Sequence, residues 1–591
     1  MENWSNEEGL KFSALYWHAL KNSRKGEPGV VVGNGPSLKV EDLHRLQNFV
    51  SIASNKIYLA FPKTSWRPTF FSMADYAVME KMKPELFDYV DIAHAPVSAD
   101  NIFHSSAIRF WKDLGPVGET PEKSPTFSSD LEKGAYAGWT ITYFNLQLAI
   151  HLGLNPIYII GCDHYYQGES KIEVDKKVKV EGQQNHFIEG YRVEGELVNP
   201  APIDKMTLAY THAVEYAKQN GIEVYNATRG GHLEVFPRVK FEDVFETPKE
   251  QSPSSEGMGM VSVAIPSFNS IDFIEECLNS VEKQTYQNIE VIIRDGFSTD
   301  GTWEAIQSFK ERVPFRVDAK QVPPKGIYDG LNKCIEACSG EYVYILMSDD
   351  MAHPECFEKA VKRLHKNPAC DICHFKLRVV DEYGEPVDES WEKRIFPRYL
   401  GELIDKPHIR HAPFDAICSR NVGTVYTGIV QYLTRRSLFD KVGLFKEDFG
   451  PYGDLDWQMR ATTLASTVYL PEYLADWRRH SKQASQVGRH KKARRDGVFE
   501  DMTNSNRSEF QKHYPEIYET LDRYGLFDYY GYDRLVQNLG ALPFGSKIVS
   551  ALNRWSKGKY PVAYRSMENT NILQSIEKDI NLRGLITELE Q

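Results

Sequence analysis

The sequence predicts an α/β protein made of two doubly wound domains in tandem, closed by a helical C-terminal tail. Three observations predict it. The 591 residues exceed what one hydrophobic core serves. Short apolar runs alternate with helix-length amphipathic segments on both sides of a single composition break, the pattern of mostly parallel sheets. The break itself, TPKEQSPSSEGMGM at residues 247–260, is rich in Pro, Ser, Gly and charge and lacks hydrophobic periodicity, so it reads as a linker. The expected domains are therefore 1–246, a linker at 247–259, a second domain at 260–500 and a helical extension at 501–591.

Composition bounds the function. With 41% hydrophobic and 26% charged residues the chain falls among soluble globular proteins. A net charge of -12 argues against a nucleic-acid partner. The start, MENWSNEEGLKFSALYW, lacks the basic and apolar regions of a secretory signal, and no stretch approaches the ~20 apolar residues that span a bilayer. A cytoplasmic protein with its eight cysteines reduced is expected. Cys370 and Cys373 form a CxxC with no second pair at zinc-site spacing, so they read as buried thiols.

In each half the apolar runs end in polar or glycine-rich turns: GVVVGNGPSL, NFVSIASN and NPIYIIGCDHYY before the linker, MVSVAIPSFN, NIEVIIRDGFSTDGT and EYVYILMSDD after it. Ligands of open α/β sheets bind at the carboxyl ends of strands, so these turns carry the candidate sites.

In the second half, GIYDGLNKCIEACSGEYVYILMSDD runs a helix, with Ile327, Leu331, Cys334, Ile335 and Cys338 at helical spacing, into a strand. Asp349 and Asp350 stand just past that strand. Adjacent carboxylates repel, and a divalent cation on a diphosphate neutralises them. Asp295 ends another strand before a turn whose Asp300 and Thr302 can cap a helix, Asp454 and Asp456 precede a helix in FGPYGDLDWQMRAT, and His480 follows in ADWRRHSKQAS. These motifs occur over residues 260–490 in the order and spacing of family 2 glycosyltransferases, which the second half resembles, and that resemblance implies the GT-A fold.

The resemblance implies roles residue by residue. Asp295 matches the acid that bonds the donor's nucleobase, with Pro266 and Ser267 lining the same pocket. Asp350 matches the ligand of Mg2+ or Mn2+, and Asp349 the carboxylate facing ribose or sugar. Asp454 matches the base that deprotonates the acceptor hydroxyl in inverting transfer, with Asp456 as the alternative because Gly453 stands where the family has Glu. His480 matches a histidine that reaches the metal in some members, or is a structural hydrogen-bond donor.

In the first half, GVVVGNGPSL sets Gly33 and Gly35 around Asn34 after a strand, where backbone N–H groups can approach a phosphate. Together with SIASNKIYLAF, GWTITYFNLQLAIHLGLNPIYIIGCDHYYQG and QQNHFIEGYR, it resembles family 42 CMP-sialyltransferases and the MptE-like DUF115 domains over residues 28–236. That resemblance implies a second Rossmann-like domain in which Gly33, Asn34, Gly35, Ser37 and Asn55 hold a cytidine nucleotide. Tyr165 would bond its phosphate and His186 would be the general base. Asp163 and His164 read as a metal pair or, in that family, Asp163 as a structural acid. No cofactor is expected there. YAGWT departs from the Arg-x-Thr-Ser-Gly of the sialyltransferases, so both CMP-Kdo and CMP-sialic acid remain open as donors.

The tail segment FGSKIVSALNRWSKGKYPVAYR pairs apolar Ile548, Val549, Leu552 and Trp555 with cationic Lys547, Arg554, Lys557 and Lys559. It reads either as a peripheral membrane contact or as a helix packed on its own domain. The expected protein is a bifunctional glycosyltransferase of bacterial capsule, O-antigen or lipooligosaccharide synthesis, using UDP-sugar and CMP-sugar donors on a glycan or lipid-linked glycan acceptor. The alternative is a single family 2 activity beside a non-catalytic or pyrophosphokinase-like first domain.

Overall fold

The computed structural model describes residues 6–46, 49–82, 90–99, 107–118, 126–167, 177–180, 185–245, 258–387, 400–422, 425–481, 483, 498–523 and 582–589. The chain divides into two compact units, Met1–Glu256 with Lys366–Ala369, and Gly257–His365 with Cys370–Gln591.

The first unit is a seven-stranded parallel sheet. Its strands are β1 (Gly29–Val32), β2 (Val50–Ser54), β3 (Phe70–Ser72), β4 (Ala93–Pro96), β5 (Ile108–Trp111), β8 (Ile157–Ile160) and β11 (Val224–Asn226), in the order β11-β8-β1-β2-β3-β4-β5. Two short ladders stand apart from it, β6 (Asp113–Pro116) with β7 (Ala135–Ala137) and β9 (Val178–Lys179) with β10 (Leu197–Val198). Val30, Val31, Ile52, Ile157 and Ile159 are fully buried, as expected of strands covered on both faces. Each such side chain removed from water stabilises the unit by about 1.5–3 kcal/mol. The strand order reverses between β1 and β8, and the crevice beyond their carboxyl ends is the natural ligand position. The GNGPS and GCDHYY turns flank it.

The second unit is a mixed sheet of ten strands. β12 (Val261–Ser267), β13 (Ile289–Asp295), β14 (Arg316–Gln321) and β15 (Tyr342–Ile345) are parallel in the order β14-β13-β12-β15. Beyond β15 the sheet continues as β19 (Tyr432–Arg435), β17 (Cys370–Val380), β20 (Ser466–Arg478), β18 (His408–Arg410) and β21 (Ile586–Glu588), mostly antiparallel, while β16 (Met351–Ala352) pairs with β20. The doubly wound expectation therefore holds in full for the first unit and for the parallel half of the second.

The extension beyond residue 500 is more than helical. Helices Val498–His513 and Pro515–Arg523 belong to the second unit, where Met502 packs on Phe449, Tyr452 and Leu455. β21 then pairs with β18, an edge strand that no hydrophobic pattern announced. The basic amphipathic segment around residues 544–565 lies outside the described residues. Among the described residues no helix is long and apolar enough to cross a membrane.

Candidate active sites at the strand ends

In the second unit, β15 continues into the two carboxylates because Leu346 N–H still bonds Ala264 O on β12, after which the chain turns through Met347 and Ser348. The pair then splits. Asp350 is buried, its Oδ1 accepting the N–H of Arg478 at 2.9 Å. Burial first, and the neighbouring Asp349 charge second, push its carboxyl well above the usual range. Asp349 is a quarter exposed, and its Oδ2 accepts from His480 Nε2 at 3.0 Å. Arg478, itself buried, donates to Asp349 O at 3.1 Å and to Glu276, so the turn is braced from beneath. Asp349, not Asp350, is thus the carboxylate that meets His480.

Asp295 and Pro266 also depart from expectation. Asp295 is fully buried, and four protein donors take its lone pairs: Ser267 Oγ at 3.1 Å and Ser298 Oγ at 2.5 Å on Oδ1, Ser298 N at 2.9 Å and Gln321 Nε2 at 3.2 Å on Oδ2. It organises the turn rather than presenting a carboxylate to a ligand. Pro266 is buried in β12 behind Gly330, so it lines no open surface. What the turns expose instead is aromatic. Phe268 and Phe297 are each about half exposed on either side of Gly296, where a Cβ would lie 2.8 Å from the Phe268 ring. Phe297 has φ +57, a backbone state costly for a bulky residue.

Helix Gly453–Leu464 separates the two base candidates. Asp456 is fully buried, bonded to Arg460 Nε at 2.8 Å and to Asn506 Nδ2 at 3.1 Å. Asp454 is half-buried two residues earlier, its Oδ1 accepting from Tyr328 Oη at 3.0 Å and from Leu455 N at 2.8 Å. Tyr328 opens helix Ile327–Ala337, whose Gly330 rests on Pro266 at the end of β12. Through Tyr328, Asp454 is thereby tied to the helix that lies against the end of β12. Sequence reasoning missed Tyr328: the helical spacing picked out Ile327, yet Ile327 is 42% exposed and Tyr328 is the buried residue.

The glycines of the first unit serve packing more than ligand approach. A Cβ at Gly33 would lie 2.3 Å from Gly161 O, and one at Gly35 2.0 Å from Asp163 Oδ2. Ser37 is bound to that same carboxylate, its Oγ donating at 2.8 Å, so Gly33, Gly35 and Ser37 lock the two turns together. Asp163 is accordingly structural in its contacts, and His164 bonds Thr207 Oγ1 at 2.7 Å. Asn34, Asn55 and His186 do come together: Asn34 Nδ2 donates to Ser54 O at 3.1 Å, beside Asn55 at φ +54, and Asn34 O accepts from Phe187 N at 3.1 Å. Asn34 Oδ1 and Asn55 Oδ1 are buried and accept no hydrogen bond among the described residues. His186 stacks on Tyr191 with centroids 3.8 Å apart, and burial chiefly lowers its pKa to about 4. Tyr165 is half exposed beside His232, with ring centroids 5.1 Å apart.

The strand ends of the two α/β units are thus furnished differently, one with carboxylates and one with amides and histidine. Residues 262–420 match the family described as glycosyl transferase family 2, and residues 11–169 match the 6-hydroxymethylpterin diphosphokinase MptE-like family. The chain therefore carries a family 2 glycosyltransferase domain in its second unit and an MptE-like domain in its first. An uncharacterized glycosyltransferase of Haemophilus influenzae is 26% identical over 241 residues, which cover 40% of this chain and 70% of that protein. A chondroitin synthase of Escherichia coli is 29% identical over 163 residues, 28% of this chain and 23% of the synthase. The chain thus spans under a quarter of that second relative's length. Among solved structures, Staphylococcus aureus TarS 1-349 with UDP is 17% identical, covering 55% of this chain and 91% of that one at a TM-score of 0.35.

Proposed function

We propose that the second unit transfers a hexose or N-acetylhexosamine, with inversion, from a nucleotide-diphosphate sugar, UDP-linked, to a glycan or lipid-linked glycan of a bacterial surface polysaccharide. The observation that carries this reading is the separation of the acids: Asp454 is held half-open at a helix start, while Asp456 is buried in an ion pair. The match to a chondroitin synthase supports a polysaccharide product. In the transfer, Asp454 takes the proton of the acceptor hydroxyl as that oxygen bonds the anomeric carbon. The bond to the diphosphate breaks on the opposite face, and the electron pair leaves with the nucleotide. Exposed Phe268 and Phe297 suit stacking of the donor's base.

The residues present fit a divalent ion. His480 Nδ1 is buried without a hydrogen-bond partner among the described residues, next to the Asp349 carboxylate, and an imidazole with a carboxylate suits Mn2+ or Mg2+. Asp349 and His480 would hold it, in place of the Asp350 expected from sequence. When bound, the ion supplies charge neutralisation for the leaving diphosphate. Titration calorimetry with Mn2+ checks this: Asp349→Ala should lose binding at least 10-fold, whereas an equal loss in Asp350→Asn alone would return the role to Asp350.

For the first unit the same reading assigns a CMP-linked acidic keto-sugar, held at Asn34 and Asn55, with neutral His186 as base. Uncharged amides and an imidazole neutral near pH 7 suit a monophosphate leaving group that needs no metal. The MptE-like match favours a second reading, a pyrophosphokinase-like activity on ATP. A cytoplasmic location, peripheral to the membrane that holds a lipid-linked acceptor, goes with either. Full-length wild type, Asp454→Asn and His186→Ala, incubated with CMP-, UDP-, GDP- and dTDP-sugars and with ATP, with and without EDTA, separate them. Asp454→Asn should lose only the metal-dependent transfer and His186→Ala only the CMP-dependent one. Acidic-sugar incorporation unchanged in His186→Ala sinks the two-activity reading, and ATP-dependent diphosphate transfer installs the alternative.

A further inference from the structure

The start of helix Gly453–Leu464 is built around a tyrosine that lies 126 residues earlier in the chain. Tyr328 Oη donates to Asp454 Oδ1 at 3.0 Å and accepts the Asp454 backbone N–H at 3.0 Å, so one hydroxyl grips both the side chain and the main chain of the same residue. Leu455 N–H adds a second bond to the same oxygen at 2.8 Å. Together these bonds fix the plane of the carboxylate.

The ring matters as much as the hydroxyl. A Cβ at position 453 would lie 2.7 Å from Tyr328 Cε2 and 2.8 Å from Lys446 O, so with Tyr328 in place only glycine fits before Asp454. The ring itself is held by a near-parallel stack on Phe445, with centroids 5.6 Å apart and planes 13° apart, and Phe445 in turn stacks on Trp457 of the base helix. Asn332, one turn after Tyr328, pins the main chain of Phe445 from both sides: Nδ2 donates to Phe445 O at 2.8 Å and Oδ1 accepts Phe445 N–H at 3.1 Å. One helix thus carries both the hydroxyl that grips the acid and the amide that fixes the wall behind it.

We infer that Tyr328 is the positioning residue of the transfer, holding the base Asp454 where the family's preceding glutamate is absent and Gly453 makes room. This rests on Asp454 being the base. The phenol is buried and lies beside the Asp454 charge, both of which push its own pKa well up, so it stays protonated and remains the donor. Other polar groups around Asp454 among the described residues include the Tyr432 hydroxyl from β19, the Asp456–Arg460 pair on its own helix, and Lys446 before it, whose ammonium is turned to Ser505 Oγ at 2.9 Å. Arg460 and Lys446 are thus engaged elsewhere.

Removing a donor from a carboxylate favours its protonated form, so the acid limb of the pH profile must move up when Tyr328 loses its hydroxyl. Tyr328→Phe in the full-length protein should lower kcat about 10–100-fold with donor KM changed less than about 2-fold, and raise the acid limb of kcat/KM by about one pH unit. Asn332→Ala, which loosens the same loop without touching the hydroxyl, should lower the Tm and leave the limb in place. A limb unmoved in Tyr328→Phe, whatever its rate or stability, overturns the inference. Asp454→Asn run in parallel keeps the two readings apart. If it retains transfer, the base assignment falls; if it is inactive while Tyr328→Phe behaves as wild type, only the positioning role falls.

Discussion

The two units place their sites alike and furnish them differently. In both, the candidate residues sit where strand order reverses, at β1 and β8 in the first unit and at β12 and β15 in the second. The second sets Asp350 and Asp349, bonded to His480, just past β15, and holds Asp454 on Tyr328 at a helix start. The first gathers Asn34, Asn55 and a neutral His186, and turns its one nearby acid, Asp163, inward onto Ser37. Topology therefore chooses the place in both units, while the charge of the side chains found there differs between them.

The largest break in that comparison comes from the two acids of the base helix. Asp454→Asn should cost about 10²–10⁴-fold in kcat with little change in Tm. Asp456→Ala should do the reverse, costing about 3 kcal/mol of stability because Arg460 is left buried without its partner. Loss of activity and stability by both variants alike would end the division of labour. A smaller effect sharpens the first unit. The folded pKa of His186, about 4, lies below its ordinary 6.5, so the unfolded chain takes up the proton first. The stabilisation from keeping His186 neutral is full above pH 6.5 and is lost as pH falls from 6.5 towards 4, by about 3 kcal/mol. His186→Gln should flatten that part of the denaturation-midpoint profile; His94, fully buried with its pKa lowered to about 3, keeps a residual slope in the same direction.

Much of this was legible in the sequence where the signal is local. The strand-end turns and the parallel strands follow from composition and periodicity, and Asp349 and Asp350 do stand just past β15, while residues 247–257 of the expected linker lie outside the described residues. The roles of the carboxylates were not legible, because those depend on partners far away in the chain. Asp350 is buried by the Arg478 backbone, Asp295 is saturated by Ser298 and Gln321, and Asp454 is gripped by Tyr328. The glycines of GNGPS looked like phosphate glycines, yet their missing Cβ atoms admit Gly161 and Asp163. The Asp456–Arg460 pair, at i and i+4 on one helix, did carry a signal that spacing alone could have revealed.

β21 gives the end of the chain a practical weight. Ile586–Glu588 lies in the sheet of the second unit, where Thr587 bonds His411 and Leu589 N–H bonds Pro407 O. Cutting the gene at the last helix to obtain a shorter expression product would strip β18 of its neighbour and leave a bare ladder edge open to another chain. Fusion partners on this enzyme belong on a spacer placed after residue 589, and a clumping truncate would report a torn sheet rather than an intrinsically insoluble catalytic unit.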